Sequence, residues 1–156
     1  LISSNEGWGL SLTESMMSGT MIVANTTGGM QDQMRFENDK GEWIDFDADF
    51  PSNHRGTFKK HGRWAEPVYP SNLSLAGSPM TPYIWDDRCQ PETAALWLRK
   101  LYNMDREERK RLGSLGTEFC KENLMTSKAM GQRFIDSMNG AFDNWKPQPK
   151  YYMEAV

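Results

Sequence analysis

Glu6-Gly7-Trp8-Gly9-Leu10-Ser11-Leu12-Thr13-Glu14, followed by Asn25-Thr26-Thr27-Gly28-Gly29, frames the part of this chain that decides its fold class. Leu10 to Ser18 predicts a helix: Leu12, Met16 and the neighbouring Met17 give an apolar face, and Gly19 stands where a C-cap glycine belongs. Thr20-Met21-Ile22-Val23-Ala24 is a continuous apolar run with β-branched residues, the pattern of a strand buried on both faces. Strand, glycine loop, helix, glycine and strand make a βαβ unit. The sheet is then parallel and its ligand edge lies at the carboxyl ends of the strands. Both glycine loops fall on that edge.

The residue types there define a chemistry. Gly7 and Gly9 sit at a strand-to-helix junction, which offers bare backbone N–H groups and the positive end of a helix to an anion, normally a phosphate. Glycine also lets the backbone come close where a Cβ would collide. Glu6 and Glu14, eight positions apart, flank the junction. An ionised carboxylate accepting from hydroxyl groups makes charge-assisted bonds of roughly 1.5–3 kcal/mol each. Glu14 lies about one turn inside the helix, so its side chain can reach back over the N-terminus. Phosphate and polyol met within a few residues is what a nucleotide-sugar presents.

A chain of 156 residues is one domain's worth, with 38% apolar and 25% charged residues. A net charge of −3 gives no basic stripe for nucleic acid. No apolar run reaches the length of a membrane span and no signal peptide is visible. Cys89 and Cys120 lack metal-ligand spacing, so two free thiols in a reducing, cytoplasmic setting are expected. Leu1-Ile2-Ser3-Ser4 reads as the end of a buried strand, and a doubly wound fold needs further strands beside it. The expectation is the C-terminal part of a longer protein: one domain over residues 1–145 and a tail over 146–156.

Further along, Glu42 to Phe46 predicts a strand, and Tyr83-Ile84-Trp85 a short one ending at Asp86-Asp87. Between them, residues 48–82 hold Pro51, Pro67, Pro70, Pro79 and Pro82, and read as an irregular surface insertion near the ligand edge. Three helices follow. The first starts at Pro91 with the stripe Ala94, Leu98, Leu101 and Tyr102. The second starts at Asp105 with capping-box spacing to Glu108, and Leu112, Leu115 and Phe119 inward. The third starts at Thr126 or Ser127, with Met130, Phe134, Met138 and Phe142 in line.

The start of the chain resembles the retaining glycosyltransferases of the GT-B fold, in the group often called group 1 or family four. The match rests on Glu6-Gly7-Trp8-Gly9-Leu10 with Glu14, Gly19-Thr20-Met21-Ile22-Val23-Ala24, and Thr27-Gly28-Gly29. The family pattern is E-G-F-G-x-x-x-x-E, G-x-P-V-V-A, then T-G-G. The resemblance implies an α/β, Rossmann-like parallel sheet with flanking helices, the C-terminal part of a GT-B fold. It implies sugar transfer from a nucleoside diphosphate sugar to a hydroxyl acceptor, carbohydrate, lipid or other, with retention and with no required cofactor or metal. Glu6 would act at the donor sugar's hydroxyls and Glu14 at the ribose diol. Gly7, Trp8, Gly9, Leu10, Ser11, Leu12, Gly28 and Gly29 would contact the donor and its diphosphate. Trp8 replaces the family's Phe, Met21 its Pro, and Gln31-Asp32-Gln33 stands where Glu is common. The family's basic pair that neutralises the leaving diphosphate, and its acceptor-binding N-terminal domain, would lie upstream of Leu1.

Other readings are weaker. A non-catalytic nucleotide-sugar or nucleotide-binding module would keep the same glycine loops. A dinucleotide oxidoreductase lacks its G-x-G-x-x-G after a strand. His54 and His61, beside Arg55, Lys59, Lys60 and Arg63, read as a solvated charged loop, with acceptor binding the alternative. Asp86-Asp87 has no accompanying ligand cluster for a metal.

Overall fold

Helix α1 (Leu10–Met17) and strand β1 (Ile22–Asn25) form where the apolar spacing places them, joined through Gly19 in a left-handed conformation. The computed structural model describes residues 1–44 and 50–147. A five-residue helix, α2 (Met30–Met34), follows the Gly28-Gly29 turn, and β1 then pairs in parallel with β2 (Ala65–Val68). Leu1 flanks the other side of β1: its terminal ammonium donates to Val23 O at 2.7 Å, and Asn25 N donates to Leu1 O at 3.0 Å. This is the bonding of a parallel bridge, yet residues 1–4 form no strand, and Leu1 and Ile2 are exposed where a buried strand end was the expectation.

Strand β2 corrects the sequence expectation for 48–82. All four of its residues are buried, so part of that stretch belongs to the core. Pro67 is tolerated because its nitrogen faces away from β1. Inward bonds come from alternate residues, as in Ile22 N to Trp64 O and Thr26 N to Val68 O, both 2.9 Å. Ala65 N turns instead to Gly62 O at 3.1 Å, and the indole of Trp97 donates to Pro67 O at 2.9 Å. Glu66, buried in the same strand, is neutralised by Lys100 at 2.7 Å. Residues 48 and 49 of the insertion lie outside the described residues, as do Asp45 and Phe46 of the expected strand at 42–46. Its described part makes one isolated bridge, Trp43 with Glu37.

A hairpin comes next, β3 (Asn72–Ser78) antiparallel to β4 (Thr81–Arg88). Tyr83-Ile84-Trp85 is its second strand, longer than the sequence implied; the first was hidden among serine, glycine and asparagine. Helix α3 (Pro91–Asn103) has Pro91 at its start, and the expected stripe holds only in part: Ala94 is buried and Leu101 half-buried, but Leu98 and Tyr102 are exposed, and the Trp97 indole, outside the stripe, bonds to the sheet. Helix α4 (Arg106–Glu122) is capped by Asp105, whose carboxylate accepts from the amides of Glu107 and Glu108. The Glu108 side chain pairs with Arg111 at 2.6 Å, so the capping box is only half made. Gly113 of α4 meets the α1–β1 connection so closely that a Cβ would lie 1.9 Å from Gly19 O.

The core of this unit is methionine-rich. Met16, Met30, Met34, Phe36, Ala24, Val68 and Cys120 are fully enclosed, and Trp64 stacks on Phe119 with centroids 4.6 Å apart. The chain divides after Asn123, and the 1–145 boundary drawn from sequence therefore falls inside the second unit. That unit contains α5 (Ser127–Asn144), capped by Thr126 Oγ1 accepting from Ala129 N. None of its residues is buried; Met130, Phe134, Met138 and Phe142 lie open. The described residues thus form a mixed α/β arrangement with one parallel strand pair and one antiparallel hairpin. No described helix is long and apolar enough to cross a membrane.

Candidate functional site

The two glycine loops meet backbone to backbone at the carboxyl end of β1. Gly29 N donates to Glu6 O at 3.2 Å, and Gly28 N donates to Ser52 O at 2.8 Å. A Cβ on Gly28 would sit 2.2 Å from Glu6 O, and one on Gly29 would sit 2.0 Å from Gly7 O. Gly28 also has a φ of 49°, which favours glycine. Any side chain at either position pushes the loops apart, so the approach itself accounts for the Gly-Gly pair.

Gly9 opens α1 in a left-handed conformation and provides no side-chain cap. The amides of the first helical turn have no acceptor within the helix. Leu12 N is an exception here: it donates to Gly9 O at 2.9 Å, so it is not available to a ligand as the sequence expectation had it. Leu10 and Ser11, both exposed, are left as the amide donors of the helix start. Trp8 is held by its indole N–H donating to Thr13 Oγ1 at 2.9 Å. Thr13 donates in turn to Gln33 Oε1 at 2.8 Å, and the Gln33 amide returns to the carbonyls of Trp8 and Gly9. This closed ring ties the Glu6–Gly9 turn to α1 and α2, and it gives the Thr13 and Trp8 side chains a positioning task. Glu6 is half-buried at the turn, Gly7 is exposed beside it, and Glu14 stands exposed on α1.

A residue that sequence reasoning left aside anchors the second loop. Asp87, at the end of β4, is almost fully buried and accepts three hydrogen bonds. Oδ2 takes Thr27 Oγ1 at 2.5 Å and Ser52 Oγ at 2.8 Å, and Oδ1 takes the Asn53 amide at 2.5 Å. Asn25, also buried, donates from its side chain to Ser3 O and Asp87 O. Thr27, the 52–53 segment and the end of β4 are thus drawn onto one carboxylate. The only sequence signal was a pair of aspartates closing an apolar strand. Among the described residues no group of three or more side chains is placed to hold a metal ion.

His54 also departs from expectation. It is buried against Phe36, Phe58 and Tyr69, with ring centroids 4.3–5.8 Å away. Burial pushes its pKa down from 6.5 to about 4, and Lys59 adds to the effect. His54 is a core residue, while its neighbours Arg55, Lys59 and Lys60 are exposed. A cavity of about 310 Å³ opens beside this segment, lined by Asn53, Arg55, Pro70, Ser71, Asn72, Leu73 and Asp87.

No family model, no curated protein and no solved structure shows significant similarity to this chain.

Proposed function

We propose that this chain carries the donor site of a retaining glycosyltransferase, within a Rossmann-like domain of the GT-B kind. The reaction is transfer of a sugar from a nucleoside diphosphate sugar to a hydroxyl acceptor. The reading is carried by the contact of the Glu6–Gly9 and Thr27–Gly29 loops beside the uncapped start of α1, with Glu6 next to Gly9 at that start and Glu14 exposed about one turn inside the helix. The diphosphate lies against the amides of Leu10 and Ser11, where the helix dipole favours an anion by up to about 1–2 kcal/mol. Glu6 accepts from hydroxyls of the transferred sugar and Glu14 from the ribose diol. Gly7, Trp8, Gly28 and Gly29 shape the wall. Attack occurs on the face from which the diphosphate leaves, with the diphosphate taking the acceptor's proton, so the protein acts by positioning and charge stabilisation. No cofactor is required, the setting is cytoplasmic, and a further domain of the same protein supplies the facing wall.

Isothermal titration with UDP-glucose, GDP-mannose and related nucleotide-sugars tests this reading. Glu14→Gln is expected to lower donor affinity tenfold or more while leaving the melting temperature unchanged, because the residue is exposed. An unchanged affinity removes Glu14 from the site.

One observation favours a second reading, a module that binds nucleotide-sugar without turning it over. No lysine or arginine occurs before Arg35, so the site's own loops bring no cation to a leaving diphosphate. On either reading, these 156 residues alone are expected to bind donor weakly and to transfer no sugar at a useful rate. Robust transfer by the purified chain overturns that placement of the machinery.

A further inference from the structure

The 310 Å³ cavity beside Asp87 lies one hydrogen-bonded residue from the Thr27-Gly28-Gly29 loop, because Asp87 both lines the cavity and accepts from Thr27. Its walls are of two kinds. Arg55, Ser71 and Asn72 provide donors and acceptors, while Pro70 and Leu73 provide an apolar side. The main chain at Arg55 is fixed: its amide donates to Asn53 Oδ1 at 2.8 Å, and Asn53 is itself held by Asp87. The loop's other basic side chains are engaged. Lys59 lies over the Tyr69 ring, Lys60 donates to Asp39 O, and Arg63 pairs with Glu108. Arg55 has no hydrogen bond or ion pair from its guanidinium among the described residues.

The apolar wall continues along the hairpin. Leu73 stands opposite Asp87 and Leu75 opposite Trp85, so these side chains share a face with Tyr83. The reverse face is polar at one end, with Arg88 donating to Ser74 at 2.8 Å and pairing with Asp86 at 2.9 Å, and carries Ala76 opposite Ile84 further along. Tyr83 and Trp85 are each 60% exposed. A small cavity with a cation and amides, on the hairpin face that also carries the exposed Tyr83 and Trp85, fits a ligand that has both an apolar C–H face and a hydroxyl edge. A sugar ring has both. The volume is at the lower end of the range of about 300–1,000 Å³ for small-molecule sites, which suits one ring and not a nucleotide-sugar. A single-stranded nucleic acid would need several free cations to hold its phosphates, and this face brings one.

We propose that this cavity and the Trp85 face form a carbohydrate-binding subsite that takes the end of an oligosaccharide acceptor. The terminal ring enters the cavity against Leu73 and Arg55, and the preceding ring lies on Trp85. The acceptor role rests on the transferase reading; the carbohydrate site does not.

Saturation-transfer NMR on the full chain with maltotetraose, cellotetraose and chitotetraose tests the site, with donor titration run separately. At least one of these is expected to bind in the millimolar range. Trp85→Ala and Arg55→Ala should each weaken it fivefold or more at an unchanged melting temperature. No transfer to any of the three sugars overturns the proposal, as does binding that survives both substitutions. A dimer in sedimentation that Trp85→Ala dissolves, with no effect on sugar binding, makes the face an interface between copies and overturns it too. Glycan binding without any nucleotide-sugar binding upholds the carbohydrate site and overturns the acceptor role. Nucleotide-sugar binding without glycan binding does the reverse, removing this subsite and leaving the donor site standing.

Discussion

The turn cluster around Gly28 and the β3–β4 hairpin invert the usual distribution of side chains in opposite senses. In the cluster, Asn25, Thr26, Thr27, Gln33 and Asp87 are buried and polar. In the hairpin, Leu75, Met80, Tyr83 and Trp85 are apolar and open to solvent. Buried polar groups are costly unless they are matched, and here Asp87 and Gln33 match several each. Such a network admits few alternative geometries, which suits loops that must hold a ligand in one place. The hairpin has no such constraint. Its exposed rings contribute little to folding, and their arrangement is free to answer to a partner. The two regions meet at one residue, since Asp87 belongs to β4 and closes the cluster.

Substitutions separate the two regions sharply. Asp87→Ala leaves two buried donors, Thr27 and Asn53, and the more exposed Ser52 without their carboxylate, and should cost about 3–5 kcal/mol in urea denaturation, with the pairwise losses less than additive. Asp87→Asn should recover part of that loss; full recovery would mean that the charge is immaterial. Gly29→Ala should cost about 2–3 kcal/mol, because its methyl group meets Gly7 O and the loops must part. Donor affinity is expected to fall with it. The core beside the cluster should also show in a pH titration of stability. His54 is neutral when folded down to about pH 4, whereas the unfolded chain takes up that proton from about pH 6.5. The unfolded state binds more protons between those values, so stability falls as pH drops through that window. His54→Phe should flatten the fall, and an unchanged slope would assign it to other groups. Smallest of all is Trp85→Ala, expected to change stability by no more than about 0.5 kcal/mol. A loss comparable to that of Gly29→Ala would place the hairpin in the fold's core and erase the contrast.

Local signals were legible in the sequence where one residue decides one event. The apolar spacing of Leu12 and Met16, the β-branched run before Asn25, and the Asp105 and Thr126 caps all appear where the chain places them. The meeting of the two glycine loops was also legible, although the first strand of the expected strand–helix–strand unit is reduced to two bonds between Leu1 and β1. Strand β2 was not. It is four residues long, holds a proline and a glutamate, and becomes core only because Lys100 neutralises Glu66 from a distant helix. The role of Asp87 depends on Thr27, sixty residues earlier, and no local pattern encodes that pairing. The stripe of α3 held at Ala94 and Leu101 and failed at its other two positions for a related reason. Leu98 and Tyr102 satisfy helical spacing, but Trp97 found the outward carbonyl of Pro67 and turned the helix to it.

That same carbonyl bears on behaviour at high concentration. At the outward positions of β2, Ala65 bonds its amide within its own chain, Pro67 has no amide, and the Pro67 oxygen is taken by Trp97. A second copy arriving edge-on would find no donor there to extend a ladder. Sheet growth from copy to copy, the route by which open strand edges seed fibres, is blocked on this flank by one imino acid and one indole.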